Sequence, residues 1–392
     1  MQVLAVVCEY NPFHLGHQYQ LKQAAKLYNP DGIIAIMSGN FTQRGECAIV
    51  DKYYRTQMAL MGGADLVLEL PALYATAASG YFAQGALLSL AACGVVDGIF
   101  FGSESVDLNQ LERTAAILAT EEAEYSSALR QYLNAGYAYP KAQGLALKEC
   151  YNITLPKDDA NDLLGLNYLT AIKRFNLPIQ ALPILRQGSH HNNDNSGFAS
   201  SSIIRQKITA QESFLADVPT FTAQILAQAK KVDMSLFEPT LLTLLKRSSL
   251  DELLNLPDVT NDLANRLSSA VKQYSTIDEI LTAVKNKSCT YSRLKRLLCH
   301  LLLNITKDDY GQNPAYLRVL GFNPRGQKIL KAMKKQASLP IITTLSSANS
   351  LLSEKEKHLL NLDLQAANIY RIFSGEFSSK AEYRLFPLLA DK

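Results

Sequence analysis

Five short apolar runs, at residues 3–7, 32–37, 65–70, 97–101 and 179–185, alternate with helix-periodic stretches near 15–28, 51–62, 79–94 and 161–174. This alternation constrains the fold more than any other feature of the chain. Continuous apolar runs of strand length suit strands buried on both faces. Strands separated by helices imply a parallel sheet with helices on both sides, a Rossmann-like α/β layout. Ligands of such sheets sit outside the carboxyl ends of the strands. Four loops fall there: residues 10–17, 38–46, 102–104 and 186–192. From about residue 213 the texture changes to leucine-rich helical periodicity, and glycine is absent between Gly197 and Gly311. The expected division is an α/β domain over 1–212 and a mainly α-helical C-terminal domain over 213–392.

A chain of 392 residues is long enough for two or three cores. No run approaches the roughly 18 apolar residues of a membrane span, and the N-terminus reads as a strand and lacks the build of a signal peptide. Six scattered cysteines without a C-x-x-C pair argue for reduced thiols and a cytoplasmic address. The net charge of +3 hides an uneven distribution. Residues 285–340 hold twelve Lys and Arg against two acids, a net of +10, which leaves −7 for the rest. That is the footprint of a polyanion binder. The candidate contacts are Lys285, Lys287, Arg293, Lys295, Arg296, Arg318, Arg325 and Lys328. The structural alternative is a set of lysine-rich solvated helix faces.

The first loop carries the sharpest chemistry: Glu9-Tyr10-Asn11-Pro12-Phe13-His14-Leu15-Gly16-His17. Two imidazoles three apart fall where a strand hands over to a helix, whose N-terminus offers unpaired N–H groups and partial positive charge. Together they suit a polyphosphate whose charge moves onto a departing pyrophosphate. A zinc site is a poor alternative, because helical metal pairs favour i,i+4 spacing with further ligands nearby. The next loop, Ser38-Gly39-Asn40-Phe41-Thr42-Gln43-Arg44-Gly45-Glu46, offers Arg44, an amide and backbone N–H groups to a small anion. Asp51 and Arg55 follow at i,i+4 and read as a helix-surface ion pair.

Gly102, at the end of a strand, suits either a plain turn or the close approach of a planar base. Asn161 reads first as a helix N-cap. Arg186 follows the fifth run within Leu185-Arg186-Gln187-Gly188-Ser189-His190-His191, where a basic residue could meet a phosphate or the adenine edge. Ala199-Ser200-Ser201-Ser202-Ile203-Ile204-Arg205 would be a serine cap if taken alone. Downstream of the paired histidines it reads as a second phosphate wall.

H-x-G-H is the signature of the nucleotidylyl transferases, and Ser200–Arg205 resembles their I-S-S-T-x-I-R element. The longer E-Y-N-P-F-H-L-G-H, with M-S-G-N-F-T-Q-R-G-E, A-I-V-D-K and G-A-D-L-V-L-E-L-P, resembles the bacterial tRNA(Met) cytidine acetate ligase family over most of the chain. The resemblance implies a Rossmann-like nucleotidylyltransferase domain that activates acetate with ATP, giving acetyl-adenylate and pyrophosphate. Acetylation of N4 of the wobble cytidine of elongator tRNA(Met), with release of AMP, would follow. It also implies ATP contacts from Val7, Cys8, Glu9, Tyr10, Asn11, Pro12, Phe13, His14, Leu15, Gly16, His17, Gln18, Tyr19 and Gln20, and from Gly102, Asn161 and Arg186. Gln187, Ser201, Ser202 and Arg205 are read beside them, with His14, His17 and Arg44 as the catalytic group and Mg²⁺ accompanying the phosphates. Two departures stand out. Leu15 replaces a usual polar residue, and residues 187–191 are less glycine-rich than is common.

Two other readings compete. A small-molecule nucleotidylyltransferase of the nicotinate or pantetheine phosphate type leaves the basic helical half unexplained. A non-catalytic RNA-binding protein leaves His14, Gly16, His17 and Arg205 without a task.

Overall fold

The structure, a computed structural model, describes residues 1–104, 108–155, 160–185, 197–375, 381–384 and 387–390. The five apolar runs form strands β1 (Val3–Cys8), β2 (Gly32–Ser38), β3 (Leu66–Leu70), β4 (Gly98–Ser103) and β5 (Gln180–Leu185). They lie in the order β5-β4-β1-β2-β3, all parallel. Side chains alternate across β1: Val3 and Ala5 enter the core on one face, Leu4, Val6 and Cys8 the core on the other. Burial on both sides explains why the runs are apolar throughout. The chain steps outward from β1 to β2 and β3, then returns past β1 to lay down β4 and β5. Strand order therefore reverses between β1 and β4, and a crevice opens at their carboxyl ends.

The sheet does not stop at the expected boundary. β6 (Leu317–Phe322) pairs antiparallel with β3, and β7 (Ile341–Ile342) and β8 (Leu388–Leu389) pair parallel with β6. The leucine-rich helices do not form a core of their own either. Leu241, Leu263, Leu294 and Leu302 share one continuous core with Val3, Ile34 and Leu68 of the sheet. A cut at 212/213 would expose that face and leave β3 as an open edge.

Two further parts went unread in the sequence. Three helices, Leu108–Thr120, Ala123–Asn134 and Tyr139–Tyr151, follow β4 and enclose a small core around Leu111, Tyr125 and Leu147. The tail contains the 21-residue helix Glu354–Ser374, opened by a Ser353/Glu356 capping box. Among the described residues no helix is long and apolar enough to cross a membrane.

Candidate active site

A cavity of about 750 Å³ opens at the switch point, lined by the ends of β1 and β4 and by the loops that follow β1 and β2. His14 is the N-cap of the Leu15–Tyr28 helix and forms a capping box with His17. Nδ1 of His14 accepts from the Gly16 N–H at 3.1 Å, and Nδ1 of His17 accepts from the His14 N–H at 3.3 Å. Both Nδ1 atoms are acceptors, so each ring carries its proton on Nε2. The rings stack with centroids 3.6 Å apart and 22° between planes, and the Tyr10 ring meets His17 at 4.8 Å. The donor that each ring can present to a ligand is thus Nε2–H.

The turn before them is held from three directions. Asn11 Oδ1 accepts from the Ile49 N–H at 2.8 Å, and the Asn11 carbonyl accepts from Arg205 Nη1 at 2.9 Å. Phe13 is fully buried against Gly62, where a Cβ would lie 2.3 Å from Phe13 Cζ. Asn11, Pro12, Phe13, Leu15 and Gln18 therefore shape the turn from behind, while Val7, Cys8, Glu9, Tyr10, His14, Gly16, His17, Tyr19 and Gln20 line the cavity.

The Ser201–Thr209 helix forms the opposite wall. Ser200 caps it, Ser201 Oγ donates to the Pro12 carbonyl at 3.3 Å, and Ser200, Ser201, Ser202 and Arg205 face the cavity. The first helical turn thus points its N–H groups at the space above the histidines, the geometry of an anion site.

The loop after β2 closes a third side. Gly45 (φ +71°) presses on the Tyr291–Leu303 helix, where a Cβ would come within 2.4 Å of the backbone of Lys295 and Arg296. This contact brings the helical half into the site: Ser292 and Arg296 line the cavity, and Lys295 Nζ donates to Glu46 at 2.6 Å. The other Glu46 oxygen accepts from Arg205 Nη2 at 3.2 Å. Burial would push the Glu46 carboxyl up, but Lys295, Arg205 and Arg44 outweigh it and hold the group below its ordinary range. Arg44 is exposed at the rim and pairs with no acceptor among the described residues.

Glu9 lies in the same field with a different outcome. Oε1 accepts from the Gln43 N–H at 2.9 Å. Burial pushes its carboxyl up, and the Gln43 N–H with the charges of Arg205, Arg44 and Arg55 offsets this only in part.

On the β4 side, Glu104 accepts from Asn161 Nδ2 and from the Asp162 N–H, while Asp162 accepts from Ser103 Oγ and from the Glu104 N–H. The crossed pairs lock the end of β4 to the Ala160–Arg174 helix, with Gly102 and Asn161 on the cavity wall. Asn161 sits inside the first helical turn, where its amide donates to Glu104, and so does not act as an N-cap.

Other sequence expectations need correction. Arg55 makes no surface ion pair: it is fully buried and donates to the carbonyls of Glu9, Ser38, Gly39 and Val50. Asp51 caps its helix and lies 3.6 Å from Arg371. Arg318 is 4% exposed, inside β6, against Glu69 and Glu382, so it cannot meet a nucleic acid. Arg325 borders a hollow with Pro30 and Asp65 at the amino ends of the strands, far from the cavity, and Lys328 follows it on the Pro324–Gln336 helix. The basic segment is thus not one surface. Lys285 and Lys287 are exposed before the Tyr291–Leu303 helix, and Arg293 donates to the carbonyls of Ser288 and Asp258. Arg186, Gln187, His190 and His191 lie outside the described residues. Glu46, Phe82, Phe101, Leu164, Asn167 and Tyr168 also line the cavity. Of these, only Glu46 stood in a loop that the sequence marked.

Among known proteins this geometry is that of a nucleotidyl transferase, and the HIGH Nucleotidyl Transferase family model matches residues 1–384. The chain is 40% identical over 386 residues to the tRNA(Met) cytidine acetate ligase of Thermoanaerobacter sp. (strain X514), with 95% of each chain covered. It superposes on the apo crystal structure of Thermotoga maritima TmcAL with a TM-score of 0.95 at 32% identity, covering 100% of both chains. A second crystal structure of that protein, bound with alpha-thio ATP, gives a TM-score of 0.94. The chain belongs to the tRNA(Met) cytidine acetate ligase family.

Proposed function

We propose that this chain binds ATP and acetate, forms acetyl-adenylate with release of pyrophosphate, and transfers the acetyl group to N4 of the wobble cytidine of elongator tRNA(Met), releasing AMP. The observation that carries this reading is the third wall. A basic helix from the C-terminal half, bearing Lys295 and Arg296, packs against the loop that holds Arg44 beside a two-sided phosphate pocket. A transferase acting on small nucleotides would not require that wall.

In this reading the triphosphate lies between the histidines and the Ser201–Thr209 helix. Acetate attacks the α-phosphorus, and negative charge develops on the leaving pyrophosphate. His14 and His17 offer Nε2–H donors to it, Ser202 offers a hydroxyl, Ser201 and Ser202 offer N–H groups, and Arg205 offers a guanidinium. No protein nucleophile is required. Arg44 is the partner for the acetate carboxylate, being an exposed rim cation without an acceptor of its own among the described residues. Arg186 and Gln187 complete the ATP contacts in this proposal.

Among the described residues no group of three or more His, Cys, Asp or Glu could cage a metal. Mg²⁺ characteristically binds through substrate phosphates and water, so here it would enter with ATP and neutralise pyrophosphate charge. Lys285, Lys287, Arg293 and Arg296 are the basic groups proposed to meet tRNA phosphates. Six free cysteines suit a reducing cytoplasm.

The test supplies ATP, labelled acetate and bulk tRNA, and analyses the nucleosides for N4-acetylcytidine. Acetate-dependent ATP–pyrophosphate exchange is followed alongside. His14→Ala and His17→Ala should each lower exchange by about 100-fold or more, as expected for the loss of a transition-state donor. Wild-type protein that shows no acetate-dependent exchange would sink the reading.

A further inference from the structure

One cavity must serve two half-reactions with opposite needs. Adenylation needs cations and donors around a departing pyrophosphate. Acyl transfer needs an acceptor for the proton that the cytidine amine sheds. That amine is a weak nucleophile, because its lone pair is delocalised into the ring. The groups lining the cavity leave few choices. His14 and His17 use Nδ1 as an acceptor toward backbone N–H groups and so hold their protons on Nε2. Glu46 spends both oxygens on Lys295 and Arg205. Burial pushes the Cys8 thiol and the Tyr10 phenol far above neutrality, so neither supplies an anion.

Glu9 differs from all of these. Its backbone carbonyl accepts from the buried Arg55 guanidinium at 2.7 Å, and Oε1 accepts from the Gln43 N–H at 2.9 Å. Main chain and side chain are thus fixed at the end of β1, on the cavity wall, while Oε2 has no partner among the described residues. Two carboxylates in one cavity with opposite surroundings are a familiar way to divide acid–base labour. Glu46, with two cationic partners, is a positioning residue for Arg205 and Lys295. Glu9, desolvated and with no cation paired to its carboxylate among the described residues, has the higher proton affinity that suits a base.

We infer that Glu9 is the general base of acetyl transfer. The inference rests on the ligase reading above. As cytidine N4 adds to the acetyl carbonyl, the C–N bond forms and the Glu9 carboxylate takes the N4 proton. The bond between the acetyl carbon and the phosphate oxygen breaks, and AMP leaves with that electron pair. The proton passes from Glu9 to water when the products depart.

The test is single-turnover transfer from pre-formed acetyl-adenylate to tRNA(Met) over roughly pH 5–9, for wild type, Glu9→Gln and Glu9→Asp, with exchange measured on the same proteins. Wild-type transfer should rise about tenfold per pH unit on the acid side and level off above the carboxyl midpoint. Glu9→Gln should lower the plateau by about 100-fold or more, well beyond any loss of exchange, and abolish the acid limb. Glu9→Asp, which keeps the carboxylate, should retain the limb at a reduced rate.

If Glu9→Gln keeps the acid limb, or loses transfer and exchange in equal measure, Glu9 is not the base. Wild-type protein that fails even at acetate-dependent exchange overturns the ligase reading and this inference together. Intact wild-type exchange and transfer with an unaffected Glu9→Gln variant overturns this inference alone.

Discussion

Gly45 shows how much a single residue position can carry. Its φ of +71° lies in the left-handed region, and the Tyr291–Leu303 helix runs directly against it. Gly45→Ala adds backbone strain and a clash with main chain that cannot rotate away. It should cost at least about 2 kcal/mol in urea unfolding and weaken acetate-dependent exchange by moving Arg44. His300 makes a second residue-scale case. It is buried, Nε2 meets the Thr76 carbonyl at 3.0 Å, and Nδ1 has no partner among the described residues. Burial pushes its imidazole down to about 4 from an ordinary 6.5. The unfolded chain therefore takes up a proton as pH falls below 6.5 while the folded chain does not, so stability drops until about pH 4. The loss is on the order of 3 kcal/mol. Urea melts at neutral and acid pH should show it for wild type and a flatter dependence for His300→Gln. Equal slopes for the two proteins would rule out this origin.

Between elements, the main device is a buried ion network. Lys52, from the helix after the second loop, meets Glu69 of β3 at 2.7 Å and Glu382 at 3.1 Å. Arg318 of β6 meets the same two carboxylates, and Arg371 of the Glu354–Ser374 helix reaches Glu382 at 2.5 Å. Glu382 is thus the shared anion of three cations and ties the short Ala381–Arg384 helix to the sheet. Burial would raise its carboxyl, but Lys52, Arg318 and Arg371 hold it well below its ordinary range. Its contribution is full above the unfolded carboxyl value and is lost only as pH falls through the lower folded one. Glu382→Gln should cost about 3–5 kcal/mol in unfolding free energy at neutral pH, because it leaves cations buried without their counter-charge. A loss near zero would mean that the network is dispensable. Arg318 also explains a misreading. In the sequence a charge inside Leu317–Phe322 looks like a phosphate contact, and only its carboxylate partners, about 250 and 64 residues away, show otherwise.

On the scale of the whole molecule, the parallel sheet and its site loops were legible because they rest on local patterns. Apolar runs of strand length, a histidine cap and a serine cap each announce themselves within a few residues. The junction of the two halves was not legible. β6 is one strand within a basic segment, and the leucines of the helical half look the same whether they pack on each other or on the sheet. Residues 1–212 expressed alone should therefore aggregate. β3 would be an open edge, and Lys52 and Glu69 would lose Arg318 and Glu382. A monodisperse, cooperatively melting fragment on size exclusion and thermal denaturation would contradict this.

The sequence by itself determined the α/β class, the strand-to-helix turn with its paired imidazoles, and the serine-capped helix that faces it, because backbone geometry and capping chemistry act over a few residues. Only the tertiary structure decided which cations reach the cavity and which are buried, which carboxylate is neutralised and which is left with a raised proton affinity, and where one core ends and another begins. Those outcomes depend on desolvation and on partners hundreds of residues away, which no local pattern encodes.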